Sequence, residues 1–397
     1  MKRVLAITSR SLTEQITNSL WTFLALRLVF STGSSIEISQ VGIVSLMSYT
    51  WSGLLRSKFI HPIYASVKDH ISLENHHFIF FRNNHLAKWL VLSVLATGGF
   101  IVVIKPDTYR FGLELLVLSA SIVGLDFLRS TRQINFEFTT LIIVNLFAAT
   151  ILALVQFQFA LSEDLFLSNI NIWIATNFVG CVVIVLKRRM SKMKPCTQSQ
   201  SEEENADLDL GAIGTTILTE FVLARILGVI GLTWLFKLSP DVSSNYVIAL
   251  YVYSTIPFSV LNGLAPIYFR YRAVAKNRNY LFIYVITVFL VSLVTPIISR
   301  IFPEIVKMFF GKNWESGRYL VFFILVIVLH KAYDSARSLD YLMCTSRVKY
   351  ILVKGVLNIF LSTLPFFAIA SGETVIASCI VLTLLSIQVL VFEKTLK

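Results

Sequence analysis

Charge is scarce in this 397-residue sequence: only 15% of its residues are Asp, Glu, Lys or Arg, against about 25% in a soluble domain. A chain that is 55% hydrophobic and carries 31 Phe cannot cover itself with a polar surface. That argues against a water-soluble globular fold. Cysteine is scarce too. Cys181, Cys196, Cys344 and Cys379 have no metal-ligand spacing, and none falls in a segment expected on the outer side, which argues against a disulfide framework. A long external segment is also missing. The longest external candidate, residues 300 to 318, is too short for the catalytic domain of a membrane glycosyltransferase or polysaccharide polymerase. No small-residue cleavage pattern follows Met1-Lys2-Arg3, so the first apolar helix is expected to be retained.

What the sequence does have is a succession of apolar stretches, each of the roughly 17 to 25 residues that cross about 30 Å of hydrocarbon at 1.5 Å per residue. They fall near residues 11–31, 39–60, 86–104, 111–130, 138–159 and 168–186. After a polar stretch they resume near 211–236, 245–268, 280–299, 319–341, 349–370 and 373–392. The expected fold is an all-α polytopic membrane protein with about twelve transmembrane helices. The basic residues test that count, because successive loops alternate sides and inner loops are enriched in Lys and Arg. With the N-terminus inside, 25 of the 35 basic residues fall in inner segments and seven in outer ones. Arg27, Arg225 and Lys331 lie within spans. The net charge of +12 is therefore read as topology and not as a nucleic-acid footprint, and both termini are expected on the cytoplasmic side.

The segment KRRMSKMKPCTQSQSEEENADLD, Lys187 to Asp209, stops one helix with a basic block and precedes the next with an acidic one. It reads as a linker over residues 187–210 between an N-lobe, 1–186, and a C-lobe, 211–397. Short internal matches agree with two copies of one unit. Leu12-Thr13-Glu14 recurs as Leu218-Thr219-Glu220, 206 residues on, and Pro62-Ile63-Tyr64 recurs as Pro266-Ile267-Tyr268, 204 residues on. Six is an even number of crossings, so the two halves have the same orientation. The cleft between them is then the natural site.

Several ionised residues stand at depths where each costs several kcal/mol unless it faces protein or water. Span one carries Glu14 and Arg27, span four Glu114 and Asp126, and span seven Glu220 and Arg225. In span ten Lys331, Asp334, Arg337 and Asp340 recur every three residues as one slowly drifting stripe. Two readings stand side by side. They are internal salt bridges or snorkelling side chains, or they line a hydrated cavity. On the second reading Arg27, Arg225, Lys331 and Arg337 bind an anionic group such as phosphate, and Glu14, Asp126, Glu220 and Asp334 serve ion coupling. His61, His70, His76, His77 and His85 crowd one inner segment with Glu74. Their spacing matches no metal motif, and the stretch reads as amphipathic and interfacial, so no metal and no cofactor is expected. His330 adjoins the charged stripe, where it is a packed neutral imidazole or a proton carrier.

The outer segment IFPEIVKMFFGKNWESGR, residues 301–318, mixes apolar runs with single charges at helical spacing and is expected to lie on the outer surface. Its Phe310, Gly311, Trp314 and Gly317 match the FG-x-x-W-x-x-(A/G) passage ahead of span ten in bacterial polysaccharide flippases, of the multidrug/oligosaccharidyl-lipid/polysaccharide exporter superfamily. With the span count, the linker and the interior charges, the chain resembles that family over essentially its whole length. The resemblance implies two six-helix lobes forming a V around a central cavity in the bacterial inner membrane. It also implies alternating access that carries an undecaprenyl-pyrophosphate-linked oligosaccharide repeat unit, as in O-antigen, lipopolysaccharide or capsule synthesis, to the periplasmic leaflet. Cationic cavity residues of the family correspond here to Arg27, Arg225 and Lys331. Such a protein transports without chemical transformation, as a monomer beside polysaccharide polymerase machinery. An interior-negative potential favours outward movement of the anion by about 2.3 kcal/mol per charge per 100 mV, and antiport of H+ or Na+ is equally allowed. A multidrug exporter of the same superfamily, binding amphipathic cations, is the nearest alternative.

Overall fold

The computed structural model describes residues 2–59, 85–134, 138–158, 166–190, 226–275, 279–310, 312–342 and 347–395, and every described element is helical. In the first half these are α1 (Lys2–Thr32), α2 (Ser35–Phe59), α3 (His85–Ile104), α4 (Tyr109–Ile134), α5 (Phe138–Gln158) and α6 (Phe166–Met190). The second half begins with α7 (Ile226–Leu238) and continues with α8 (Pro240–Ala275), α9 (Asn279–Ser292), α10 (Val294–Ile301) and α11 (Pro303–Phe310). A 3-10 segment (Lys312–Leu320), α12 (Val321–Leu342), α13 (Arg347–Ala370) and α14 (Thr374–Thr395) complete it.

Among the described residues eight helical stretches are long and apolar enough to cross a membrane, and Val91–Ile104 and Ile226–Leu238 add two shorter apolar ones. Helices α1 and α2 fall outside that set for a physical reason: their polar residues face protein and not lipid. Ser11, Glu14, Gln15, Thr17 and Ser19 of α1 are buried, as are Ser39, Gln40, Ser45, Ser48 and Ser52 of α2. Hydroxyls along the helices also fold back on carbonyls one turn earlier, as Ser48 does on Val44 at 2.6 Å and Thr97 on Ser93 at 2.8 Å, which satisfies them without water. The lipid-facing surfaces instead present residues such as Val102, Leu154 and Leu390. The molecule is an all-α polytopic membrane protein.

The ninth expected span is two helices. Pro296 has no amide hydrogen to give, and its ring crowds the carbonyl four residues back, at Ser292, where α9 ends. Leu293 closes the break with a tighter bond to Leu290 O at 3.2 Å. The outer segment is likewise two pieces. Helix α11 buries Val306 and Phe310 and exposes Glu304, Lys307 and Met308, and the 3-10 segment that follows buries Trp314. An amphipathic surface element is what the spacing of its charges requires.

Helix α1 packs on α5 and α8, and α2 on α4 and α8, so the first two helices form the seam between the halves. The turns at 33–34, 105–108 and 239 gather at one end. Gln40 donates to Ile104 O and Lys105 O at 3.2 and 3.3 Å, and Ser39 Oγ donates to Pro240 O at 3.0 Å. The outer segment joins the same end through Asn313 Nδ2, which donates to Phe30 O at 2.6 Å.

Candidate functional site

Two buried polar clusters lie at the opposite end of the bundle, one in each half. In the first half, Arg129 of α4 lies over the Trp21 ring, 4.3 Å from its centroid, and donates through Nη1 to Asn18 Oδ1 and through Nη2 to Asn145 Oδ1. Asn145 of α5 in turn donates to Glu14 O and Thr17 Oγ1, both at 3.2 Å. The Glu14 carboxylate, fully buried, accepts at Oε2 from Gln15 at 2.6 Å and from Gln133 at 3.0 Å, while Oε1 has no partner among the described residues. Asp126, one turn before Arg129, accepts at Oδ2 from the Ser52 hydroxyl of α2. A buried acid and a buried base thus share one cluster, with neutral amides as their hydrogen-bond partners. That arrangement is costly unless every lone pair and proton is engaged.

In the second half, Asp334 of α12 forms an ion pair with Lys354 of α13 at 2.9 Å and accepts from Gln388 of α14 at 3.0 Å. The Lys354 side chain is almost wholly withdrawn from solvent. One turn on, the buried Arg337 guanidinium lies 5.9 Å from the Tyr333 ring centroid. His330 is buried with Nε2 unpartnered among the described residues, as are Gln388 Oε1 and Asn358 Nδ2. Lys331 is half-buried. Of the four residues in the span-ten stripe, Asp334 is therefore engaged from two neighbouring helices, whereas the side chain of Asp340 lies outside the described residues.

Arg27 stands apart from both clusters. It lies in the C-terminal part of α1, on the face that Phe23 and Phe30 share within about 60°. Those two rings meet the second half: Phe23 is edge-on to Phe310 at 4.7 Å, and Phe30 is 6.2 Å from Tyr251 of α8. Arg27 is half-buried, its Nε is withdrawn from solvent, and among the described residues it has neither a hydrogen bond nor a carboxylate within ion-pair distance. By contrast, Glu114 is met by Arg110 at 3.2 Å and by Asn171 at 3.2 Å, a local pairing near the N-terminal end of α4.

Arg225 and Glu220, and the linker beyond Met190, lie outside the described residues, as do the histidines at 61, 70, 76 and 77. Counting charges by loop missed three groups. Arg129, Arg132 and Lys354, which a count by loop places among the 25 basic residues of the inner segments, are all buried: α4 continues to Ile134, and Lys354 lies well inside α13. Arg132 donates to Ile184 O at 2.9 Å. A signal was present in the amides at depth, Asn18 and Asn145, which need charged or polar partners in apolar surroundings.

No family model matches the chain, and no curated protein matches it. A solved structure described as a crystal structure of MATE in the bent conformation aligns over 99% of this chain and 96% of its own, at 12% identity and a TM-score of 0.47. A likeness of that degree carries no argument about function, which rests here on the residues themselves.

Proposed function

We propose that the protein is a flippase that carries an undecaprenyl-pyrophosphate-linked oligosaccharide repeat unit from the cytoplasmic to the periplasmic leaflet of the inner membrane. Two six-helix lobes, 1–186 and 211–397, joined by the linker 187–210, alternate access to the cleft between them. The observation that carries this reading is Arg27. A guanidinium within a membrane span, partly accessible, beside the seam of the two halves and without an acid among the described residues, is a costly group with no structural partner to justify it. A planar fork of donors suits a pyrophosphate, which can be held by paired bonds. Lys331, Arg337 and Arg225 are the further cations assigned to the anion's route. Glu14, buried with one oxygen unpartnered among the described residues, is the favoured coupling acid, since a proton or Na+ there would engage that oxygen. Asp126 and Glu220 remain candidates for the same task, while the ion pair at Asp334 suits support of the bundle.

Asn313 and Ser39 hold the two halves together at the end expected on the outer side. A second reading, an antiporter of amphipathic cations, draws on the same Glu14 carboxylate, which would then receive the transported cation or its counter-ion. The test is leaflet-specific labelling. Arg27→Ala is expected to reach the membrane at wild-type abundance and to reduce outer-leaflet exposure of the glycolipid about tenfold or more, with Arg27→Lys retaining part through charge alone. Arg225→Ala carries the same expectation. Wild-type transfer by well-folded Arg27→Ala would remove the anion site, and cation efflux lost on Glu14→Gln while glycolipid exposure is unchanged would favour the second reading.

A further inference from the structure

The two buried clusters are built on matching motifs. Asp126-Phe127-Leu128-Arg129-Ser130 and Asp334-Ser335-Ala336-Arg337-Ser338 share the pattern D-x-x-R-S at a separation of 208 residues, close to the 204 and 206 of the shorter matches. Asp126 and Arg129 lie in α4, and Asp334 and Arg337 in α12. The residue that engages each motif from the following helix is also similarly placed: Asn145 of α5 follows Asp126 by 19 residues, and Lys354 of α13 follows Asp334 by 20. The chemistry at that place is exchanged. Asn145 accepts from the arginine of its motif, whereas Lys354 pairs with the aspartate of its own.

We infer that Asn145 and Lys354 are positioning residues at one and the same place in two copies of a repeated helical unit, each tying the D-x-x-R-S helix of its half to the helix that follows. The inference rests on the two-lobe reading above and assigns the residues that hold each lobe's charges in register. In α12 Asp334 lies about 60° around the helix from both Lys331 and Arg337, on opposite sides. Fixing Asp334 against α13 and α14 therefore fixes where those two cations point. A turn of α12 by a single residue position, about 100°, would move both away from any path they line. In the first half Asn145 does the same for Arg129, with Asn18 of α1 as the second anchor.

The experiment compares Lys354→Met, Lys354→Arg, Asp334→Asn and Asp334→Asn/Lys354→Met, with the parallel set Asn145→Leu, Arg129→Met and their double. Purified protein is assayed for thermal midpoint, and proteoliposomes for transfer of a fluorescently labelled undecaprenyl-pyrophosphate-linked disaccharide, normalised to folded protein. Lys354→Met is expected to lower transfer about tenfold, within the range of couplings between contacting residues. Lys354→Arg is expected to recover to within about threefold of wild type because it keeps the ion pair, whereas the Asp334→Asn/Lys354→Met double is expected to be no worse than either single, since the same tie is lost in all three. Both halves should show a non-additive shift in midpoint. A double whose defect is the product of the two single defects would mean that Asp334 and Lys354 act separately and would overturn the assignment, as would Lys354→Arg no better than Lys354→Met. Additive midpoints at either pair would overturn the equivalence of the halves. If the wild-type protein moves no glycolipid, the flippase reading fails, and the midpoint cycles still decide the two ties.

Discussion

Arg129 shows how a single residue changes meaning with its surroundings. Near a span end it counts as a topogenic charge, but α4 runs five residues further and carries it into the interior beside Trp21. A desolvated cation over an indole face gains about 2 kcal/mol, and hydrogen bonds to a charged group add about 1.5 to 3 kcal/mol each. Truncating it leaves the carbonyl oxygens of Asn18 and Asn145 facing a void. Arg129→Ala is therefore expected to destabilise the protein by about 3 kcal/mol, read as lower membrane abundance and a lower thermal midpoint, with Arg129→Lys only partly corrective because an ammonium lacks the planar fork that spans both amide oxygens while lying over the indole. Normal abundance and midpoint for Arg129→Ala would mean that the cluster contributes little to folding. Arg27 is expected to behave in the opposite way, tolerated in folding and required in transport, so the pair separates supporting from functional cations by one measurement of abundance.

At the scale of elements, the seam between the halves depends on close approach. A Cβ added at Gly42 of α2 would lie 2.5 and 2.6 Å from the two Cγ atoms of Val247 of α8, so glycine is what allows these helices to touch. A Cβ at Gly231 of α7 would meet backbone, 2.2 Å from Ser362 O of α13, and one turn on the Trp234 ring meets that of Phe367 at a 57° tilt. The two sites make different predictions because a side chain can yield and a carbonyl cannot. Gly42→Ala is expected to cost about 1 to 3 kcal/mol and to be relieved by Val247→Ala in the same chain, measured by thermal midpoint. Failure of Val247→Ala to relieve it would show that the α2 and α8 backbones, and not this valine, set the limit. The broken ninth span has a similarly local cause, since Pro296 dictates the interruption wherever the surrounding helices lie.

For the whole molecule, the basic-residue count predicts position 200 on the cytoplasmic side and position 312 outside. Cysteines placed there, in a background lacking the native four, are expected to react with a membrane-impermeant thiol reagent in intact spheroplasts at 312 and not at 200. The reverse pattern would overturn both the topology and the cytoplasmic linker. Composition, span length and charge distribution by themselves determined that this chain is a helical membrane protein, roughly where its helices run, that the segment after α10 is an amphipathic surface element, and that spans one, four and ten carry buried charge. These are properties of single segments, set by transfer from water to hydrocarbon and by helical periodicity, and they need no knowledge of neighbours. Which charges are paired was not legible, because a partner is chosen by packing between helices far apart in sequence. The stripe Lys331, Asp334, Arg337 and Asp340 invited pairing along one helix, but Asp334 found Lys354 and Gln388 on two others. Likewise Arg129 reached Asn18 across 111 residues, and Arg27 was left with no acid among the described residues, outcomes that only the tertiary structure decides because Coulomb and hydrogen-bond energies depend on distances through space.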